Sequence, residues 1–190
     1  MAAPGDPPAP GRDATSAIIL PVGAAEPLVG DWRRLHDESA AAGVPAHVTV
    51  VAPFLPPDRL TPGVIAELRA LCSARHAPQV RFRRVRRFPP LDGAAGVVYL
   101  DPEPADGLRA LTEAVVARWP EAPPYGGIHD AIVPHLTVAI ADDPTLDAVE
   151  RSLTGALGDG FTTTLAQAVI YVHAGDRWRP EASLPFAATG

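Results

Sequence analysis

Two histidines in this sequence are each followed, two positions on, by a threonine. They are His47 and Thr49 in HVTVVAPF, residues 47–54, and His135 and Thr137 in PHLTVAIA, residues 134–141. An imidazole titrates near pH ~6.5, so of two rings placed together one can accept a proton while the other supplies one. Concerted acid–base chemistry needs that pairing. A hydroxyl beside each ring can donate a hydrogen bond to an anionic, nonbridging oxygen and hold the group in line. A phosphodiester suits all four groups. One ring takes a proton from the attacking water or ribose hydroxyl, and the other protonates the departing oxygen. The scheme calls for no metal and no cofactor.

The elements that carry these residues read as strands. Successive strand side chains alternate faces, so His47 and Thr49 share one face and Val48 and Val50 the other. His135 and Thr137 are opposed in the same way by Leu136 and Val138. The apolar partners suit a helix-covered core, and the polar pairs suit a cleft. Along the chain, hydrophobic spacing and Pro/Gly punctuation predict strands at 16–22, 47–54, 80–88, 97–101, 135–141 and 161–173, with a last strand in WRPEASLPF. Helices are predicted over 25–38, with Leu28, Trp32 and Leu35 inward, and over 60–75, 104–119 and 144–157. Strand–helix–strand–helix–strand thus occurs twice, over 16–88 and 97–173. The two His-x-Thr strands hold the same place in each half. That repetition sets the pair apart from chance, because a single match to so short a pattern carries little weight.

The chain has 190 residues, 47% of them hydrophobic and 20% charged, enough to bury a substantial core in one domain or two close lobes. Residues 1–14 are aperiodic Pro, Ala, Gly and Asp and read as a disordered tail. Residues 15–190 then form a single two-lobed domain. The net charge of −6 argues against a general nucleic-acid coat protein, and no DNA partner is expected. All 16 basic side chains are arginine, so a Schiff-base or P-loop lysine is excluded. Cys72, the one cysteine, sits in an apolar helical pattern and reads as a buried structural thiol. No apolar run reaches membrane-span length, and AIILPVGAA follows an acidic flank unlike a secretion signal, so a cytoplasmic location is the default.

Other residues are candidates for contact with a substrate. Tyr125 and His129 lie in a Gly-rich loop before His135 and could hold a base or cap the cleft, with a solvated loop as the alternative. Tyr99 and Phe88 could stack on a nucleobase, with core packing as the alternative. Arg81, Arg83, Arg84, Arg86 and Arg87 form the one basic cluster. Strict alternation would put Arg81, Arg83 and Arg87 with Val85, and Arg84 and Arg86 with Phe82 and Phe88. The cluster suits either an RNA end or an edge strand protected by charge. His173 reads as structural, and His36 and His76 as solvent-facing.

HVTVVAPF and VPHLTVAIA resemble the paired motifs of the 2H phosphoesterase superfamily, the 2′-5′ RNA ligase and cyclic-nucleotide phosphodiesterase type. FPPLDGAAGVVYLDP and WRPEASLPF are similar to segments of bacterial members, and the resemblance spans about residues 15–187. It implies an α+β fold of two lobes related by a pseudo-twofold. The sheets would be mainly antiparallel, with helices on the outer faces and a central cleft. It also implies His47 and His135 as the catalytic pair, and Thr49 and Thr137 as phosphate-holding hydroxyls. The implied activity is hydrolysis of RNA 2′,3′-cyclic phosphate ends or related 2′-5′ phosphodiesters, in some members reversible 2′-5′ ligation. Several ligating members carry a basic residue soon after the second motif, where this chain reads AIADD. That difference favours a small nucleotide or another phosphodiester over tRNA ligation. Two other classes stand beside this one: a non-catalytic nucleotide or RNA-end binder with the same cleft, and a His-ligated metal hydrolase. For the last, no inward acid accompanies either histidine. A monomer is expected.

Overall fold

The computed structural model describes residues 15–90, 94–127 and 131–188; the expected tail at 1–14 and His129 lie outside these. Among these residues, eight strands build two sheets. They are β1 (Ser16–Pro21), β2 (His47–Val51), β3 (Gln79–Phe88), β4 (Gly96–Glu103), β5 (Leu136–Ala141), β6 (Phe161–Thr164), β7 (Gln167–Ala174) and β8 (Arg177–Pro185). The helices are α1 (Glu26–His36), α2 (Glu38–Ala41), α3 (Pro62–Ser73), α4 (Asp106–Arg118) and α5 (Asp143–Leu157). Their starts follow from local chemistry. Thr61 and Asp142 accept the backbone N–H groups of Val64 and Thr145, and α1, α3 and α5 each have a proline in the first turn.

The first sheet runs β2-β1-β7-β8 and the second β5-β4-β3-β6, with every neighbouring pair antiparallel. The two orders are equivalent. In each, a His-x-Thr strand lies at the edge beside the first strand of its own half. The next strand comes from the other half: β7 beside β1, and β3 beside β4. The duplicated units of the sequence are therefore not the lobes of the fold. The expected single strand at 161–173 is two strands in different sheets. The chain leaves the second sheet at Leu165, which is buried and donates its N–H to Pro78, and enters the first at Gln167. Residues 161–170, FTTTLAQAVI, hold no Gly or Pro, so no turn residue marks the crossing.

On one face of each sheet the apolar residues join a continuous core with the helices. Ile18, Leu20, Val48 and Val51 belong to it in the first sheet, and Val98, Leu100, Leu136 and Val138 in the second. Leu108, Leu111 and Val115 of α4 and Leu146, Val149 and Leu153 of α5 close this core. No helix among the described residues is long and apolar enough to cross a membrane. Cys72 is buried as expected, and burial pushes its thiol up to about 11.

One expectation for α1 fails. Leu35 is 72% exposed, and Arg33 is the residue turned inward, at 2% exposed. Leu28 and Trp32 are half-buried against the core, and Trp32 stacks on His36. The helix lies rotated from the orientation that its leucines suggest.

Candidate active site

Both His-x-Thr segments carry the same irregularity. Ile19 pairs with Thr49 and Ile18 with Val51, so Val50 is an extra residue in β2. Tyr99 pairs with Thr137 and Val98 with Ala139, so Val138 is an extra residue in β5. A bulge immediately after each threonine lets Val48, Val50 and Val51 all enter the core, as do Leu136, Val138 and Ala139. Bulges bend a strand and re-aim the side chains beside them. Here they turn each His and Thr off the core face at matched positions.

The two rings are held alike. His47 donates its Nδ1–H to the Pro45 carbonyl at 2.7 Å, and His135 donates its Nδ1–H to the Val133 carbonyl at 2.7 Å. A carbonyl oxygen only accepts, so in each ring the proton sits on Nδ1 and the proton-transfer position is Nε2. Both rings are buried, at 4% exposed. β2 and β5 lie against each other, and a protonated His135 would disfavour the charged form of His47. Burial, followed by the nearby Arg33 guanidinium, pushes His47 down to about 4. The Pro45 carbonyl and Asp37 oppose that shift, and His135 adds to it. His47 is therefore neutral at neutral pH.

Thr137 is buried, and its Oγ1 makes no hydrogen bond among the described residues. A buried hydroxyl left in that state costs about 1–3 kcal/mol, which a bound anionic oxygen would offset. Thr49 is half-buried opposite Ile19. Phe88 stacks on Tyr99 with ring centres 4.2 Å apart, and both meet His135 edge-on, at 5.1 and 5.3 Å. Tyr99, 6% exposed, backs the His135 ring, and Phe88 is half-buried beside it. Tyr125 stacks on the His135 ring at 6.5 Å, while its N–H reaches the Ala52 carbonyl at the end of β2, 2.9 Å away. That loop residue links the end of β2 to the His135 ring before β5. Its φ of 52° lies in the left-handed region, which is uncommon for a side chain of this size. His173 is buried edge-on against Trp178, and His76 is exposed.

The arginine cluster divides in a way strict alternation does not give. Two residues of β3, Arg83 and Arg84, stand against the single Asp101 of β4, and this bulge shifts the faces beyond it. Val85 and Arg87 accordingly lie on the helix side with Phe82. Arg87 bonds Asp147 at 2.6 Å and pairs with Asp143 of α5. Arg86 pairs with Tyr99 across the sheet, and Tyr99 with Thr137, so Arg86 lies on the same face as His135. Its Nε is bound to Asp101 at 2.7 Å, and its side chain is half exposed. Arg84 pairs with Glu103 and Asp101, Arg83 with Glu103, and Arg81 with the Asp159 carbonyl.

Residues 20–177 match the model of the 2′-5′ RNA ligase superfamily. The chain belongs to that superfamily. Bacillus pumilus (strain SAFR-032) has a relative named "Putative phosphoesterase", 27% identical over 134 residues, covering 70% of this chain and 74% of that protein. A like-named Bacillus licheniformis protein is 26% identical over 134 residues, covering 70% and 75%. The fold is that of Escherichia coli LigT, solved in complex with 3′-AMP. The TM-score is 0.57 at 14% identity, covering 90% of this chain and 97% of LigT. A Thermus thermophilus protein gives 0.55 at 16% identity, covering 90% and 96%. Both His-x-Thr segments lie within the matched residues and were legible in the sequence. Arg33 and Asp37, which bear on His47, do not stand out there. Their only signal is a basic and an acidic residue four apart in a helix, and that spacing is ordinary on solvent faces.

Among the described residues, no group of three or more His, Cys, Asp or Glu side chains could hold a metal ion.

Proposed function

We propose that this protein is a metal-independent phosphodiesterase acting on 2′,3′-cyclic phosphate ends of RNA or on related cyclic and 2′-5′-linked nucleotides. The matched pinning of both rings through Nδ1 carries this reading. It leaves two Nε2 atoms, from equivalent edges of two sheets, to exchange protons at a common cleft. In hydrolysis, a neutral Nε2 accepts a proton from water as its oxygen bonds to phosphorus. The bond from phosphorus to one ribose oxygen breaks, and the other ring, protonated at Nε2, gives that oxygen its proton. Thr49 and Thr137 donate hydrogen bonds to the nonbridging oxygens. Arg86, on the same face as His135, offers its Nη atoms to further anionic oxygen. LigT has been solved with 3′-AMP, ATP and NADP+, which supports a nucleotide ligand for this cleft.

Turnover of a 2′,3′-cyclic nucleotide panel by wild type, His47→Ala and His135→Ala tests the reading. Each substitution is expected to lower kcat on the order of 10²–10⁴-fold. Wild-type turnover is expected to persist in EDTA. Equal rates in all three proteins would remove the proposal. Binding without turnover by wild type would favour the non-catalytic binder.

A further inference from the structure

Beneath His47 lies a buried ion pair that the reaction scheme does not use. Arg33 donates from Nε and Nη2 to Oδ2 of Asp37, at 2.9 and 2.6 Å. Oδ1 of Asp37 accepts from the backbone N–H and the hydroxyl of Ser39, at 2.9 and 2.6 Å. Arg33 is 2% exposed and Asp37 3%. Burial would raise the Asp37 carboxyl, but Arg33, Ser39 and His47 together hold it below its ordinary value. Such a pair is an inefficient way to stabilise a fold, because desolvation of both ions offsets much of their attraction. An apolar pair would anchor α1 as well.

What the pair touches gives it a different use. Arg33 Nη1 donates to the Val44 carbonyl at 3.3 Å, one residue before the Pro45 carbonyl that holds His47 Nδ1–H. The Val44 N–H bonds the Ser39 carbonyl, and the Ala46 N–H bonds Glu26 Oε1 at 2.6 Å. Val22 N–H completes the clamp on the Ala46 carbonyl at 2.7 Å. The Val44 and Ala46 peptides, on either side of Pro45, are thus tied to α1, α2 and Val22. Among the described residues the second half has no such pair: α4, which stands in the place of α1, buries Leu108, Leu111, Thr112 and Val115. The twofold resemblance of the lobes is broken at this point.

We propose that Arg33 and Asp37 are positioning residues that hold the His47 ring and make it the proton acceptor of the pair, leaving His135 as the donor. This rests on reading the cleft as a phosphodiesterase site. The charged and titratable groups acting on the ring are Arg33 and Asp37 from the α1–α2 corner and His135 from the second sheet. β1 meets His47 with Pro21, α4 meets β2 through Thr112, and the Pro124–Gly127 turn brings Tyr125 to the end of β2. Arg33 disfavours the imidazolium and Asp37 favours it, so their removal acts in opposite directions.

The test is the acid limb of the kcat/KM profile on a 2′,3′-cyclic nucleotide, with the His47 ring titration followed by NMR in the same proteins. Arg33→Met is expected to move the limb and the ring titration up by about one pH unit, and Asp37→Asn to move both down. Arg33→Lys keeps the charge and loses the fork, so the limb stays while kcat falls. If Arg33→Met does not fold, Arg33→Met/Asp37→Leu removes both ions together. Its limb is expected to rise, because Arg33 acts more strongly than Asp37. Shifts of one sign in both single variants, or none, would overturn the proposal. The NMR titration reads out without turnover, so an inactive wild type would count against the phosphodiesterase reading and not against the ion pair's hold on His47.

Discussion

At the scale of the residue, the chemistry rests on which nitrogen of each ring carries the proton, and a backbone carbonyl two residues earlier decides it. His47 also shapes stability. Its ring is held down to about 4 in the fold, against 6.5 in an unfolded chain. Between those values the unfolded chain binds more protons, so stability rises with pH across that window. The contribution is complete above pH 6.5 and is lost as pH falls towards 4. Urea unfolding at about pH 7, 5.5 and 4 should show this decline, and His47→Gln should flatten it. Thr137 separates stability from activity. Thr137→Val removes a buried hydroxyl that no described residue satisfies, so stability should stay level or rise by up to about 1–3 kcal/mol. Turnover should fall on the order of 10²-fold if that hydroxyl holds the phosphoryl group. Parallel calorimetry and kinetics on this one variant check both halves.

Among the elements, the bulges do the aiming. Val50 and Val138 are each one residue too many for the ladder, and each follows its threonine directly. The sequence shows the apolar–polar alternation before them but not the slip itself, because a bulge is defined against a partner strand. The same holds for Arg83 and Arg84, whose bulge sends Arg87 to α5 and Arg86 to the face of His135. Gly160 shows how tightly this region is built. Its φ is 83°, and a Cβ there would stand 2.2 Å from the Phe82 carbonyl oxygen and 2.8 Å from Arg83 Cα. Both obstacles are backbone, so Gly160→Ala should cost at least about 1–3 kcal/mol. A protein of this size should lose about 2–4 °C in Tm for each kcal/mol. A Tm unchanged within error would show that the β3–β6 approach is looser than these distances imply.

For the whole molecule, strand exchange between halves is the organising fact. Residues 15–90 supply β1 and β2 to one sheet but β3 to the other, and residues 94–188 do the converse. Each sheet is complete only when both halves are present, and the two sheets meet through β2 and β5. Neither half should fold alone. Circular dichroism of the two separated fragments should show little structure, with strand signal returning on mixing. Two independently folded halves would contradict the topology. Exchange also means that the two halves of the sequence cannot be pulled apart without breaking both sheets.

The sequence by itself determined the two His-x-Thr pairs, the strands under them, the alternation of strands and longer helices as far as residue 157, and the family. Each of these depends on local spacing: period two along a strand, three to four along a helix, and turn residues between. It also determined that Thr49 and Thr137 lie with their histidines, since neighbours two apart in a strand share a face. Tertiary structure alone decided that Arg33 points inward while Leu35 lies 72% exposed. It also decided that 161–173 divides between sheets, and that Tyr125 and Phe88 reach the His135 ring. Those outcomes depend on which surfaces meet. A helix turns the face its neighbours complement, and for α1 that face holds an ion pair fitted to the peptides leading into His47.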